Sequence, residues 1–391
     1  MNKPIILMPA PSPGGGGMET RRLNTKYLLE TLGYSVKTFI FQSSDSRSRG
    51  KYFQGDDAVK VFEDCRNKKL LCNEFVSWVC QQNADALITF NSKIAQMAFP
   101  LIPDSVLKVS VLNSTHYPGF YNSFYYINSC DILLYNTEAM RSQWQNIASF
   151  LGFVLLKEEV FVVDASTRLD TFKPIVNDGV IRVAFVGRFE NTHKNIEFIP
   201  RLVKELDARK IDYQFNIIGD GPDEALLKNL KNNDKVIFHG YLSDEKRDDI
   251  FRTQDVLILP SRSEGFCLVL VEAALLRVMP IANDLPHLKE MLGDNVISVT
   301  VEDLSGWVSV IEKLYKNPSV LRRMQLDAQS YARKKFTNKE SLSLQYARIL
   351  NSRNKIRKTF SQRLLSEAFG LLMKAPDSLR WRFVKLFYEK I

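Results

Sequence analysis

No CxxC pair occurs in the chain, and its five cysteines (Cys65, Cys72, Cys80, Cys130 and Cys267) are an odd number scattered over 391 residues. The sequence therefore supplies neither a disulfide framework nor a structural zinc site. Only four histidines are present, His116, His193, His239 and His287, and none is close to another in sequence. The series of basic, apolar and small residues that marks a secretory signal is missing, and Met1 leads almost directly into an apolar run over residues 5–8. The longest nearly apolar stretch, residues 147–156, is about half of the roughly 20 residues that a membrane-spanning helix needs. These absences predict reduced thiols, no bound metal and a cytoplasmic chain. The formal charge of +9 raises the question of nucleic acid, but residues 351–391 hold 10 Lys and Arg against 3 Asp and Glu, which leaves only +2 for the first 350. Nucleic acid is not an expected partner, because the excess charge belongs to the tail.

What is present is 45% hydrophobic and 25% charged residues, enough apolar material for more than one core. Strands predicted over residues 4–9, 35–42, 86–90, 106–113, 132–136 and 161–163 alternate with helices over 19–31, 70–82 and 137–150. Alternation with helical crossovers signals a parallel sheet covered on both faces. Residues 43–57, rich in Ser, Asp, Arg and Gly, read as a mobile surface loop. The pattern lapses around Asp170-Thr171-Phe172-Lys173-Pro174 and restarts with a strand over 181–187. Strands over 213–218, 236–239 and 256–260 then alternate with helices over 195–208, 223–232, 244–252 and 265–276, and helices over 307–316 and 339–351 follow. The expected fold is α/β: two tandem Rossmann-like domains, residues 1–172 and 173–351, with a basic amphipathic helical tail over 352–391.

Three stretches carry chemistry. Gly14-Gly15-Gly16-Gly17 lies directly between the first strand and the first helix, where glycines let a ligand approach the backbone and free N–H groups attract an anion. The spaced GxGxxG fingerprint is absent, which weakens a nicotinamide reading. Arg188 and Lys194, in Gly187-Arg188-Phe189-Glu190-Asn191-Thr192-His193-Lys194-Asn195, put two cations six residues apart at a strand end, suited to a diphosphate. Finally, the apolar strand ending at Pro260 delivers Glu264 to the sheet edge, Gly265 allows a tight turn, and Glu272 falls eight residues later on the following helix. The amides of Phe266, Cys267 and Leu268 would face a phosphate at that helix's N-terminus.

Arg188 with Lys194, followed by Glu264-x7-Glu272 after a Pro-Ser strand end, resembles the family 4 retaining glycosyltransferases of the GT-B fold. Ile218-Gly219-Asp220-Gly221-Pro222 and Phe238-His239-Gly240-Tyr241 support the resemblance. So do the strand Asp255-Val256-Leu257-Ile258-Leu259-Pro260-Ser261 and the segment Asp170-Thr171-Phe172-Lys173-Pro174. It is clearest over residues 181–276 and touches the first domain through the glycine loop and His116. The resemblance implies a donor site in an inter-domain cleft. Arg188 and Lys194 would neutralise the departing diphosphate, Glu272 would hold the ribose hydroxyls, and Glu264 would bind the donor sugar. His116 would touch the transferred sugar, and Gly16, Gly17, Tyr241, Phe266, Cys267 and Leu268 would line the nucleotide site.

The sequence departs from the family pattern after Glu272, where Leu276-Arg277-Val278-Met279-Pro280 replaces a small-Gly-x-Pro segment. Asn283-Asp284-Leu285-Pro286-His287-Leu288-Lys289-Glu290 lacks a glycine pair but keeps Glu290, and Cys267 stands where a glycine is common. The DxD metal motif of the other large glycosyltransferase fold is missing. No cofactor is expected beyond the donor, a UDP-, GDP- or ADP-sugar, and the acceptor would be a glycan, a lipid-linked sugar or another hydroxyl compound. A non-catalytic sugar-nucleotide or glycan-binding protein and an NAD-dependent dehydrogenase are the alternative readings. The basic apolar tail would either touch anionic lipid at the inner face of the membrane or pack on the first domain.

Overall fold

The computed structural model describes residues 3–10, 17–42, 59–63, 68–90, 92–112, 129–150, 158–160, 178–337 and 339–351. Residues 43–57, the strand expected over 161–163, Gly16, His116 and the tail beyond 351 lie outside them. The chain divides into two compact units, Met1–Asp164 with Lys339–Ile391, and Ala165–Asn338. No helix among the described residues is long and apolar enough to cross a membrane.

The first unit is built on a fully parallel sheet of seven strands: β1 (Ile5–Pro9), β2 (Ser35–Gln42), β3 (Lys60–Glu63), β4 (Ala86–Phe90), β5 (Leu107–Leu112), β6 (Ile132–Tyr135) and β7 (Glu158–Val160). Their spatial order is β3-β2-β1-β4-β5-β6-β7. Such strands are apolar on both faces because helices cover both. Along β1, Leu7 enters one core while Ile6 and Met8 enter the other. The first core is strongly aromatic, with the rings of Phe39 and Phe75 at 4.8 Å and those of Phe62 and Trp78 at 5.7 Å.

The second core corrects the expected domain boundary. Helix Lys339–Asn351, assigned by sequence to the second domain, buries Tyr346 and Ile349 against Leu28, Leu29 and Ile88 of the first unit. The Tyr346 hydroxyl lies 3.2 Å from Thr25 Oγ1. A helical period shows that a face is apolar but not which core it joins.

The second unit carries β8 (Ile181–Val186), β9 (Tyr213–Ile218), β10 (Val236–Gly240), β11 (Val256–Leu259), β12 (Met279–Ala282) and β13 (Ile297–Ser298). They form a parallel sheet in the order β10-β9-β8-β11-β12-β13. The strand order therefore reverses between β8 and β11, the switch point at which open α/β sheets take their ligands. Several elements differ from expectation. Residues 224–230 form a 3-10 turn series rather than an α-helix, and β3, β12, β13 and helices Pro286–Leu292 and Pro318–Phe336 were not read from the sequence. The helix expected from 265 begins at Leu268.

Candidate active site

The two sequence motifs that meet at the switch point are tied together by the backbone. β11 pairs with β8 through Val256↔Val183 and Leu257↔Ala184, so the loops after both strands rise side by side. After β8 the chain makes one short helix, Asn191–Lys194, and Asn195 ends it with φ +52. Asn195 is buried, and its Nδ2 donates to the Pro260 carbonyl at 3.1 Å. From the other loop, Arg262 N donates to His193 O at 2.8 Å and Arg262 Nη1 to Asn191 O at 2.8 Å. His193 Nδ1 lies 2.9 Å from Ser263 Oγ.

This lacing brings Lys194 and Glu264, 70 residues apart in sequence, into an ion pair with Nζ 2.6 Å from Oε1. Burial works against ionisation of Glu264, but the Lys194 charge, its hydrogen bond and the Ser261 hydroxyl outweigh it and hold the carboxyl below the usual carboxylate range. Burial likewise opposes the Lys194 ammonium, and the Glu264 carboxylate overrides it and raises the ammonium above its ordinary value. Both groups are therefore charged near neutrality. Cys267 stands beside them, and burial, reinforced by the Glu264 charge, pushes its thiol up, so it is a neutral lining group. Arg188 differs from Lys194: it is exposed, and its guanidinium makes no ion pair or hydrogen bond among the described residues.

A pair of glycines sets the Arg188 loop in place. Gly219, at φ +138 after β9, lies so close to Gly187 that a Cβ would overlap the Gly187 carbonyl oxygen. A Cβ on Gly221, at φ +158, would stand 2.5 Å from the Phe189 carbonyl oxygen. The interlocked backbones exchange hydrogen bonds, Phe189 N to Asp220 O at 2.6 Å and Asp223 N to Phe189 O at 3.0 Å, and Asp223 Oδ2 accepts from Asn191 N at 2.7 Å.

Glu272 is buried within helix Leu268–Leu275, and Arg247 of helix Asp244–Phe251 reaches it with Nη2 3.4 Å from Oε1 while also pairing with Asp248 at 2.8 Å. Because the helix starts at Leu268, Phe266 and Cys267 lie in the turn before it, and the Phe266 ring packs on Phe336 at 6.0 Å. Tyr241 is exposed just after β10, whose last residue, Gly240, accepts from Gly219 N at 2.9 Å. Arg188 and Lys194, Gly219, Tyr241 and Glu264 thus follow the carboxyl ends of β8, β9, β10 and β11. Gly17 opens helix Gly17–Thr31 in the first unit. The glycine missing after Glu272 also has an explanation: Arg277 takes the left-handed conformation itself at φ +62, and its Nε donates to Gln329 Oε1 at 2.9 Å.

Residues 167–335 match the model of the family described as glycosyl transferases group 1. The match falls within the second unit. Its chain is 33% identical over 156 residues to an uncharacterised 41.2 kDa protein in the cps region of Klebsiella pneumoniae, covering 38% of this chain and 42% of that one. It is 28% identical over 152 residues to the alpha-D-kanosaminyltransferase of Streptomyces kanamyceticus, covering 37% and 39%. The chain therefore spans about four-tenths of the length of these curated relatives. Over 90% of its length it superposes on 99% of the pneumococcal O-GlcNAc transferase GtfA, a structure in complex with UDP and GlcNAc, with a TM-score of 0.69 at 12% identity. That likeness shows the two-domain α/β GT-B fold.

Within the second unit, sequence reasoning missed Arg247 and Asn195. Arg247 sits in the charge-dense run Asp244-Glu245-Lys246-Arg247-Asp248-Asp249, which reads as a solvated face. Asn195 gave one signal, since Asn is the residue that tolerates a left-handed helix end.

Proposed function

We propose that the chain transfers a glycosyl unit from a nucleoside diphosphate sugar to an acceptor hydroxyl, with retention at the anomeric carbon and without a metal, in the assembly of an envelope polysaccharide or glycoconjugate. The observation that carries this reading is the convergence of Arg188, Lys194 and Glu264 at the β8–β11 switch point of the unit that matches the group 1 model. As the bond from the anomeric carbon to the diphosphate breaks, negative charge gathers on the leaving phosphate, and fixed cations stabilise it more in the transition state than in the ground state. Arg188 has no partner among the described residues to give up, whereas Lys194 exchanges Glu264 for the phosphate. Glu264 would then hold the donor sugar and Glu272 the ribose. A panel of UDP-, GDP- and ADP-sugars, assayed with and without EDTA, tests the reading. Turnover of one donor, unchanged by EDTA, is expected. No turnover of any donor would remove the transferase reading, and activity lost to EDTA and restored by Mg²⁺ or Mn²⁺ would remove its metal-free part.

Glu272→Ala should raise the donor KM by about tenfold and change kcat by less than about threefold, because ribose hydroxyls do not change between ground and transition state. Arg247 keeps Asp248 in that variant, so no cation is left alone. A fall in kcat with unchanged KM would show that Glu272 acts on the reacting centre instead. The tail, residues 352–391, would add peripheral contact with anionic lipid. Flotation with phosphatidylserine vesicles should depend on it, and equal binding by a chain ending at residue 355 would remove the membrane contact.

A further inference from the structure

Strand pairing stops before the chain reaches Glu264. β11 pairs with β12 as far as Leu259↔Ala282, and with β8 only as far as Leu257↔Ala184. Pro260 has no N–H with which to continue either ladder, and Ser261 beyond it is buried. The carbonyls of this stretch still need donors, since a buried backbone oxygen left unpaired is costly.

Two asparagines supply them. From the β12 side, Asn283 N donates to Leu259 O at 2.9 Å and Asn283 Nδ2 to Ser261 O at 2.9 Å. From the β8 side, Asn195 Nδ2 donates to Pro260 O at 3.1 Å. Three successive carbonyls thus turn to β12, to β8 and to β12 again, as they would in a continuing strand with a neighbour on each side. The side-chain amides prolong β11 where the backbone ladder has run out.

Both asparagines are themselves fixed. Asn283 is buried, its Oδ1 accepts from Val301 N at 3.0 Å, and its carbonyl accepts from Leu285 N at 2.7 Å. Asn195 is buried at φ +52, its N donates to Asn191 O at 3.0 Å, and its carbonyl accepts from Phe198 N at 3.0 Å. Asn195 also directly follows Lys194. Its amide therefore joins the segment that carries the ammonium to the segment that carries the carboxylate of the 2.6 Å ion pair. Glycine could take the left-handed backbone at that place but could not supply the amide.

We propose that Asn195 and Asn283 are positioning residues for Glu264: their amides fix the end of β11 from both sides, and with it the place where the carboxylate meets Lys194 and, on the donor reading on which this rests, the donor sugar. One tie alone would leave the strand end free to swing about it. Asn195 sets the turn relative to Lys194, and Asn283 sets it relative to β12 and the loop that carries Val301.

Two variants each remove one tie and keep the rest of the residue's bonds. Asn195→Gly keeps the left-handed backbone and loses only the amide, whereas Asn283→Asp keeps the acceptor for Val301 N but turns an oxygen instead of a donor towards the Ser261 carbonyl. With the donor that turns over in the panel of UDP-, GDP- and ADP-sugars, each variant should lower kcat about tenfold. Affinity for the matching nucleoside diphosphate, UDP, GDP or ADP, should stay within about twofold by calorimetry, because that ligand has no sugar for Glu264 to hold. Parallel loss of kcat and nucleotide affinity would mark a general loosening of the site and overturn the proposal. So would a kcat within about twofold of wild type in either variant. Should Asn283→Asp not fold, Asn195→Gly decides alone. Wild-type protein that turns over no donor removes the donor reading and the proposal together, whereas wild-type turnover with undiminished variants removes the proposal alone.

Discussion

Arg188→Ala and Lys194→Ala should each lower kcat by roughly 10- to 150-fold, and only Lys194→Ala should also lower the Tm. The common effect follows from the chemistry of the leaving group, since one lost charge-assisted contact of about 1.5 to 3 kcal/mol converts to that range of rates. The difference follows from the resting structure. Arg188 is exposed and unpaired among the described residues, so its removal costs the fold almost nothing. Removing Lys194 takes from the buried Glu264 the cation that it pairs with, a loss of about 3 kcal/mol for a pair of this kind. Adding Glu264→Gln to Lys194→Ala should restore Tm without restoring kcat, because the buried charge goes but the phosphate contact stays lost. Steady-state kinetics and thermal unfolding of the purified variants check this. Undiminished kcat in both single variants would place the diphosphate elsewhere.

Gly219→Ala is expected to be the most damaging single methyl addition in the second unit. The added Cβ would overlap the Gly187 carbonyl oxygen, and the residue holds φ +138, a conformation that L side chains rarely adopt. Backbone stands on both sides of the clash, so no flexible side chain can swing away. Strain and overpacking together should cost about 3 to 5 kcal/mol, and Tm should fall by roughly 6 to 15 °C for a unit of this size. Whatever folded protein survives should also lose turnover, because relief of the clash moves the strand end that carries Arg188. Gly33→Ala is a useful control: φ is +87 there too, but nothing lies within 4 Å of the added Cβ. Equal destabilisation in the two variants would mean that backbone conformation alone, and not the contact with Gly187, sets the cost.

Much of this arrangement is written locally in the chain. The ranges of β2, β4 and β9 follow from their apolar, β-branched runs, and Arg188, Lys194, Glu264 and Glu272 stand out because cations, glycines and carboxylates follow strand ends at regular offsets. β12 was hidden by Pro280, which argues against a central strand even though Pro280 pairs there with Leu257. β13, two residues long, carries no pattern at all. The start of helix Leu268–Leu275 was misplaced because Gly265-Phe266-Cys267 continues its apolar period while the backbone uses those residues as a turn.

The alternation of strand and helix, the two Rossmann-like halves and the residue types at the strand ends were determined by sequence alone, because side-chain period and turn chemistry act over a few residues. Which loops share a site was decided only by tertiary structure. β11 enters the sheet between β8 and β12, and that non-local pairing turns Lys194 and Glu264 into one ion pair. The same holds for helix Lys339–Asn351, whose apolar face could have joined either core. Its place in the first unit depends on Tyr346 finding Thr25 some 321 residues away, a contact that no local pattern encodes.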